Sequence, residues 1–221
     1  MDSVTALKAA LTGRLHIDPR KNPIHVSLED DYILIEGMVE KAADKKRALL
    51  IAMGLPSAGV IDRLRVRPSA RMSDAEIRDH LKAAIESESV LDPGKIRIEV
   101  NDGVVNLEGE LVSLSHKRLA GVLAWWVPGS TDVINSIEVA PPEEDTDDEV
   151  RDALLQVLEK DRLVDASSIS VSVKDWAVTL EGVAGSDEEK DAAEDDAWFV
   201  WGVNDVVNNI RVEKSGIHEL P

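Results

Sequence analysis

The sequence of 221 residues predicts an α/β (α+β) fold made of three small repeated modules. A segment that alternates apolar and polar residues, the pattern of a half-buried strand, begins at Ile24, Ile96 and Ile169. A glycine preceded by a glutamate stands 13 residues after each isoleucine, at Gly37, Gly109 and Gly182. A second strand-like segment closes each repeat, over residues 60–66, 133–139 and 206–212. Matched spacing at this many positions indicates a tandem repeat.

The repeats define module 1 (residues 1–68), module 2 (73–140) and module 3 (146–214), separated by linkers that contain proline and charged residues. Within each module the pattern predicts a helix, two strands, a second helix and a third strand, in that order. The opening helix of module 2 has one apolar stripe, formed by Ile77, Leu81, Ala84 and Ile85.

The connections also carry local signals. Asp102 and Gly103 favour a tight hairpin turn between the first two strands of module 2. The glycine that follows the glutamate of each second strand suits a bulge or a close approach of another backbone. Ser186 and Glu189 predict a capping box at the start of the second helix of module 3.

The second helix is apolar nearly all round in modules 1 and 2. Small residues such as Ala48 and Ala120 allow it to lie close to its sheet. Its other faces carry further apolar residues, among them Leu50, Met53, Val122 and Trp126. Two interpretations stay open. These helices pack against each other or against a second copy in a homo-oligomer, or they form a docking surface for lipid or a protein partner.

A basic cluster opens the second helix of module 1, formed by Lys41, Lys45, Lys46 and Arg47. It predicts either contact with an anionic headgroup or an ordinary solvated helix face. The net charge of the chain falls from +2 over residues 1–70 to −5 over 71–140 and −15 over 141–221. We interpret the acidic run of module 3 as a solubilising face, because its carboxylates are spread along a helix.

Composition excludes several classes of protein. The chain carries 25 basic and 43 acidic residues, and this net charge of −18 argues against nucleic-acid binding. It has no cysteine for disulfides and no apolar run that approaches the roughly 20 residues of a transmembrane helix. The first residues lack the features of a signal peptide. We therefore expect a cytoplasmic protein, or a periplasmic one if a signal peptide has been removed.

Trp176 is an unusual residue for its position. It follows Asp175 at the predicted hairpin turn of module 3, where the other modules have Asp31 and Gly103. Tryptophan is frequent in membrane interfaces and in protein hot spots, so Trp176 is a candidate binding residue. The alternative is that its ring folds back over an adjacent helix or the neighbouring module.

These features resemble the BON domain (bacterial osmotically induced and nodulation proteins). The resemblance is carried by the alternating strand, the Leu/Ile-Glu-Gly motif, the alanine-rich helix, and the Gly-to-Asn endings that include Gly202, Asn135 and Asn208. Module 1 departs from the pattern, since Asp62 and Arg63 replace an Asn-containing pair. The resemblance implies two helices on one face of a three-stranded sheet and a non-enzymatic role.

We therefore expect no catalytic residues, cofactor or metal. The five histidines occupy unrelated positions in the three modules, and no catalytic or phosphate-binding motif is present. The leading hypothesis is attachment to a phospholipid surface or envelope component in osmotic-stress protection, as the resemblance implies. The alternatives are a chaperone-like holdase or protein-interaction scaffold, and an ion-responsive cytosolic protein.

Overall fold

Each module is built from two helices and one small sheet, as the sequence predicts. The computed structural model describes residues 3–14 and 23–213. Module 1 consists of α1 (Ser3–Arg14), β1 (Ile24–Glu29), β2 (Tyr32–Val39), α2 (Ala42–Met53) and β3 (Gly59–Val66). Module 2 consists of α3 (Asp74–Ser87), β4 (Ile96–Asn101), β5 (Val104–Leu111), α4 (Leu114–Trp126), β6 (Asp132–Asn135) and β7 (Glu138–Val139). Module 3 consists of α5 (Asp147–Lys160), β8 (Ile169–Lys174), β9 (Ala177–Ala184), α6 (Asp187–Phe199) and β10 (Asp205–Val212).

The second strand of each module lies at the centre of its sheet. In module 1, β2 pairs with β1 in antiparallel register and with β3 in parallel register. Module 3 repeats this arrangement with β9 between β8 and β10. In module 2, β5 lies between β4 and β6, and β7 also pairs with β5. A parallel pair needs a crossover connection, and the second helix of each module supplies it.

The core of each module lies between the helices and one face of the sheet. Ile33 and Ile35 of β2 are fully buried, as are the equivalent pairs Val105/Leu107 and Val178/Leu180. The predicted apolar stripe of α3 is buried against this layer, as is the equivalent face of α5, with Leu81 and Leu154 fully enclosed. Burying each such side chain stabilises the fold by roughly 1.5–3 kcal/mol.

The glycine at the end of each Glu-Gly pair has a positive φ and a close backbone neighbour. The φ angles of Gly37, Gly109 and Gly182 are 140°, 140° and 133°. A Cβ placed at these positions would lie 2.4, 1.9 and 2.1 Å from the carbonyl oxygen of the residue that precedes β1, β4 and β8. The repeated glycine therefore lies where another backbone segment comes close, as the sequence predicts.

An asparagine of the third strand joins that strand to the second helix. The Asn135 side-chain amide donates to the carbonyl of Lys117 at 2.7 Å, and Asn208 donates to Lys190 at 3.1 Å. In both modules the amide oxygen also accepts the N–H two residues further along the strand. Module 1 has Asp62 in this position, and its carboxylate lies 2.8 Å from the ammonium of Lys45. A charged pair thus replaces the neutral amide where module 1 departs from the repeat.

The opening helix of a module is tied to the hairpin turn by its first carboxylate. Asp74 accepts the N–H groups of Asp102 and Gly103 at 3.0 and 2.9 Å. In module 3, Asp147 makes the equivalent bonds to the turn that contains Trp176. These bonds join residues that are 28 or 29 positions apart. They satisfy the N–H groups of the turn residues, whose φ angles are positive.

The predicted capping box of α6 forms only in part, and a complete capping box forms at the start of α3. Ser186 Oγ accepts the N–H of Glu189 at 3.1 Å, as predicted. The Glu189 carboxylate, however, accepts the N–H groups of Gly185 and Asp165. The reciprocal box forms instead at α3, where Glu76 accepts both the N–H and the hydroxyl of Ser73 at 2.7 Å.

The chain divides into two compact units. Among the described residues, unit 1 contains 3–14, 23–83, 98–106 and 124–134, and unit 2 contains 84–97, 107–123 and 135–213. The division passes through module 2, so residues of this module contribute to both units. Module 1 belongs to unit 1, and module 3 belongs to unit 2.

Candidate interaction surfaces

The basic cluster of α2 does not form one cationic surface. Lys41 is exposed, whereas Lys46 and Arg47 are half-buried and Lys45 is buried, with 6% of its surface exposed. Burial lowers the pKa of Lys46 to about 7, although part of this residue still meets solvent. Burial also raises the pKa of the neighbouring Asp44 carboxyl. The predicted headgroup site therefore loses Lys45 to the interior, and the positive charge of Lys46 is weakened.

Lys45 belongs to a buried charge cluster in unit 1, which consists of Lys45, Asp62, Arg65 and Asp132. The Lys45 ammonium lies 2.8 Å from Asp62 and 2.9 Å from Asp132, and the Arg65 guanidinium lies 3.1 Å from the same Asp132 oxygen. The side chains of Lys45 and Asp132 are only 7% and 8% exposed. Buried charges are stable only when they are paired, so this charge cluster fixes β6 of module 2 against α2 and β3 of module 1.

The apolar residues predicted on the second helices have different environments. Leu50 and Met53, which we call the α2 apolar face, are 42% and 65% exposed. Val122 on α4 is fully buried, and Trp126 is half-buried. Val122 is therefore not available for binding as predicted, because its apolar side chain is already enclosed. The α2 apolar face remains accessible in module 1.

Trp176 has a left-handed backbone and a half-buried ring. Its φ is 65°, close to the 70° of Asp31 and the 75° of Gly103 at the equivalent turn positions. Its N–H donates to Asp147 at 3.0 Å. A Cβ placed at Gly202 would lie 3.5 Å from the Trp176 ring, so the ring covers the backbone at that glycine. A left-handed conformation costs an ordinary residue about 1–2 kcal/mol, which the contacts of the ring and of the N–H offset.

A second polar junction in unit 2, the Arg118 junction, consists of Lys117, Arg118, Asp145 and Trp201. Arg118 is fully buried, donates from Nε to the carbonyl of Trp201 at 3.0 Å, and pairs with the Asp145 carboxylate. The Lys117 ammonium lies 5.0 Å from the centre of the Trp201 ring, within the range of a cation–π contact. Burial, and then the charge of Arg118, lower the pKa of Lys117. The Arg118 junction joins α4 of module 2 to the linker and to the loop after α6 of module 3.

A family model described as the BON domain matches residues 3–68, 73–141 and 146–214, which together cover nearly the whole chain. The chain belongs to the BON domain family. The resemblance inferred from the repeated strand, glycine and asparagine is therefore confirmed, and the three modules described above are three BON domains.

Three known proteins illustrate what this BON chain is similar to. Osmotically-inducible protein Y of Escherichia coli (strain K12) is 27% identical over 144 residues, which cover 62% of this chain and 71% of that protein. The C-terminal domain of CdsD, a structural protein of the type III secretion system of Chlamydia trachomatis, is 15% identical with a TM-score of 0.27. Its match covers 88% of this chain and 93% of that one. The PrgH periplasmic domain is 14% identical with a TM-score of 0.24, over 86% and 95% of the two chains.

The described part of this BON chain offers neither a cluster of metal ligands nor a membrane-spanning helix. Across residues 3–14 and 23–213, no group of three or more His, Cys, Asp or Glu side chains could hold a metal ion. Within those same ranges, no helix combines the length and the apolarity that crossing a bilayer requires.

Sequence reasoning missed most residues that join one BON module to the next. Asp132, Arg65 and Trp201 were not singled out, because no local pattern distinguishes them from other charged or aromatic residues. Arg118 did carry a signal, since with Lys117 it interrupts the mainly apolar helix α4. A buried arginine in such a helix needs acceptors from elsewhere, and here they come from module 3 and from the linker.

Proposed function

We propose that this BON protein acts in osmotic-stress protection in the bacterial envelope, as a non-catalytic protein that binds other proteins. Membership of the BON family and similarity to an osmotically inducible bacterial protein support the stress and envelope part of the proposal. The kind of ligand is argued from the surface of module 1.

The observation that carries protein binding is the α2 apolar face. Met53 is 65% exposed and Leu50 is 42% exposed, three residues apart on one helix and hence side by side. Flexible methionine side chains adapt to apolar partners of varied shape, and exposed apolar surface on a folded protein is typical of interaction sites. Lys45 is committed to the charge cluster, so the same helix offers weaker attraction to anionic headgroups than its sequence predicts. A holdase or scaffold is therefore favoured over a lipid-binding protein.

The test measures light scattering from heat-denatured citrate synthase with and without the full-length protein. We expect the protein to suppress aggregation. The double variant Leu50→Glu, Met53→Glu should lose this effect, because burying the added carboxylates against an apolar client would cost their hydration energy. Leu163→Glu is the matched control, since Leu163 is 68% exposed in module 3, outside the α2 apolar face. Absence of suppression by the unmodified protein, or equal suppression by all three, would contradict the proposal.

Lipid binding remains the second candidate, because exposed Lys41 and half-buried Arg47 lie on the helix that carries Leu50 and Met53. Flotation with anionic vesicles, in low and high salt, tests this candidate. Salt-sensitive flotation that Lys41→Glu with Arg47→Glu abolishes would favour it. Lys45→Glu is unsuitable for this purpose, because it would bury a carboxylate beside Asp62 and Asp132.

A further inference from the structure

The two junctions between modules use equivalent elements. In unit 1, the second helix of module 1 reaches the start of β6, and the linker after this module reaches the loop before β6. In unit 2, the second helix of module 2 reaches the loop before β10, and the linker after module 2 pairs with that helix. In unit 1, Lys45 of α2 reaches Asp132 at 2.9 Å, and Ala70 of the linker donates its N–H to Pro128 at 3.0 Å. We call the helix and linker side the donor side. The side formed by the loop and the adjacent hairpin turn is the acceptor end.

Unit 2 repeats this pairing one module further along. Arg118 of α4 donates to the carbonyl of Trp201 in the loop before β10, while Asp145 of the linker holds the same guanidinium. Lys117 occupies the helix position that Lys45 has in module 1, and Arg118 occupies that of Lys46. Both junctions thus place a basic residue of a second helix, Lys45 or Arg118, against the acceptor end of the following module. In unit 2 the neighbouring Lys117 also lies over the Trp201 ring.

Module 1 has an acceptor end built in the same way. The N–H of Ala58, in the loop before β3, donates to the carbonyl of Asp31 in the hairpin turn at 2.8 Å. The equivalent bonds in modules 2 and 3 are those from Thr131 to Gly103 and from Asn204 to Trp176, at 2.8 and 3.0 Å. The backbone that receives a donor helix in modules 2 and 3 is therefore already formed in module 1.

The side chains at this end of module 1 specify the chemistry of a partner. Glu29, Asp30 and Asp31 are exposed, and Tyr32 beside them is 43% exposed. The Tyr32 ring packs against Gly59, because a Cβ there would lie 3.1 Å from it, so this aromatic side chain is held in place. A fixed tyrosine with an acidic rim complements a partner that presents an apolar surface and positive charge.

We propose that the acceptor end of module 1 docks the second helix of a BON-type module from another protein, through a basic pair like Lys117 and Arg118. The proposal goes beyond the protein-binding function given above, because it concerns a different surface and names a partner class. The chain itself is a poor partner, because module 3 has Lys190 and Asp191 at these two positions. An aspartate at the second position would face the carboxylates of Asp30 and Asp31.

A single substitution allows the acceptor end of module 1 to be tested with this chain alone, as self-association. Asp191→Arg, at an exposed position of α6, gives module 3 the Lys-Arg pair of module 2. We expect this full-length variant to associate head to tail, so that its sedimentation coefficient rises with concentration, while the unmodified protein shows no such rise. Glu159→Arg makes the same change of charge at an exposed position of α5 and is the matched control.

The acceptor end is tested in the same background. Adding Asp30→Asn and Asp31→Asn removes the acidic rim, and asparagine tolerates the left-handed backbone of this turn. We expect the association of the Asp191→Arg variant to weaken at least about tenfold. Circular dichroism checks that each variant keeps the fold. The proposal is overturned if Asp191→Arg associates no more than Glu159→Arg, if the unmodified chain associates equally, or if the two asparagines change nothing.

This result is independent of the aggregation assay. Loss of client binding would leave self-association of Asp191→Arg intact, and failure of Asp191→Arg to associate would leave the α2 apolar face as a client-binding surface. Each proposal can therefore be refuted without affecting the other.

Discussion

Replacing Asp132 by alanine removes the anion that bridges Lys45 and Arg65 in the charge cluster. Loss of one partner from a buried ion pair costs roughly 3–5 kcal/mol when the other charge is left uncompensated. Lys45 keeps Asp62 at 2.8 Å, so we expect about 2–3 kcal/mol from its lost pair. The Arg65 side chain is 33% exposed, and solvent screening limits the contribution of its pair to less than about 1 kcal/mol.

Asp205→Ala is the matched control for this perturbation. Asp205 begins β10 as Asp132 begins β6, and each carboxylate accepts the N–H of the next residue at 3.0 Å. Asp205 is exposed, so its variant loses this hydrogen bond alone, which is worth about 1 kcal/mol. Asp132→Ala should therefore be less stable than Asp205→Ala by about 2–3 kcal/mol.

Differential scanning calorimetry and urea denaturation followed by far-ultraviolet circular dichroism measure this difference. At about 2–4 °C per kcal/mol, the midpoint of the affected transition should fall further by about 4–12 °C in Asp132→Ala than in Asp205→Ala. The difference should persist in high salt, because buried pairs are screened less than exposed ones. Equal destabilisation by the two substitutions would refute the conclusion that the charge cluster stabilises unit 1.

Two further predictions concern the glycine of the Glu-Gly pair and the cap of α3. Gly182→Ala should destabilise module 3 by at least about 2 kcal/mol in urea denaturation, because the new Cβ would lie 2.1 Å from a carbonyl oxygen at a φ of 133°. Gly185→Ala is the control and should cost far less, because its Cβ would lie 3.6 Å from the nearest atom, a carboxylate oxygen of Glu189. Equal losses of stability in the two variants would contradict the explanation. Hydrogen bonds from Ser73 hold the pKa of the Glu76 carboxyl below its ordinary value of 4.5. The resulting stabilisation is present above that ordinary value and is lost as the pH falls through the lowered pKa. Ser73→Ala removes the hydroxyl donor but keeps the backbone N–H of residue 73. It should therefore raise the pKa of Glu76 part of the way towards its ordinary value in an NMR titration, and an unchanged pKa would show that the hydroxyl is not one of its causes.

The sequence predicts those features that repeat within the chain. Alternation identifies the strands, and the glycine and asparagine positions identify the module, because the same local geometry recurs three times. The sequence also contains a sign of one structural pairing, that of Lys45 with Asp62. Asp62 replaces asparagine in the module where its carboxylate meets Lys45, whereas the equivalent Lys117 and Lys190 accompany asparagines. Comparing both positions across the modules would have indicated that Lys45 is internal.

The junctions could not be predicted in this way. Lys45 and Asp132 are 87 positions apart and belong to different modules, so no periodicity links them. The burial of Arg118 depends on the path of the linker, which brings Asp145 to its guanidinium. The hydrogen bond from the Trp176 N–H to Asp147 likewise joins residues 29 positions apart, and no single segment reveals it. Local patterns determine the modules, whereas long-range packing determines which of their charges remain on the surface.

The position of Asp132 and Arg118 has a consequence for exchanging modules between such chains. Each of these residues sits in module 2 but is neutralised by residues of module 1 or by the linker to module 3. Replacing module 2 at its repeat boundaries with a module that lacks these two residues would leave Lys45 without Asp132 and Asp145 without Arg118. The segment that must be moved as one piece to keep these charges matched is therefore longer than the unit of sequence repetition.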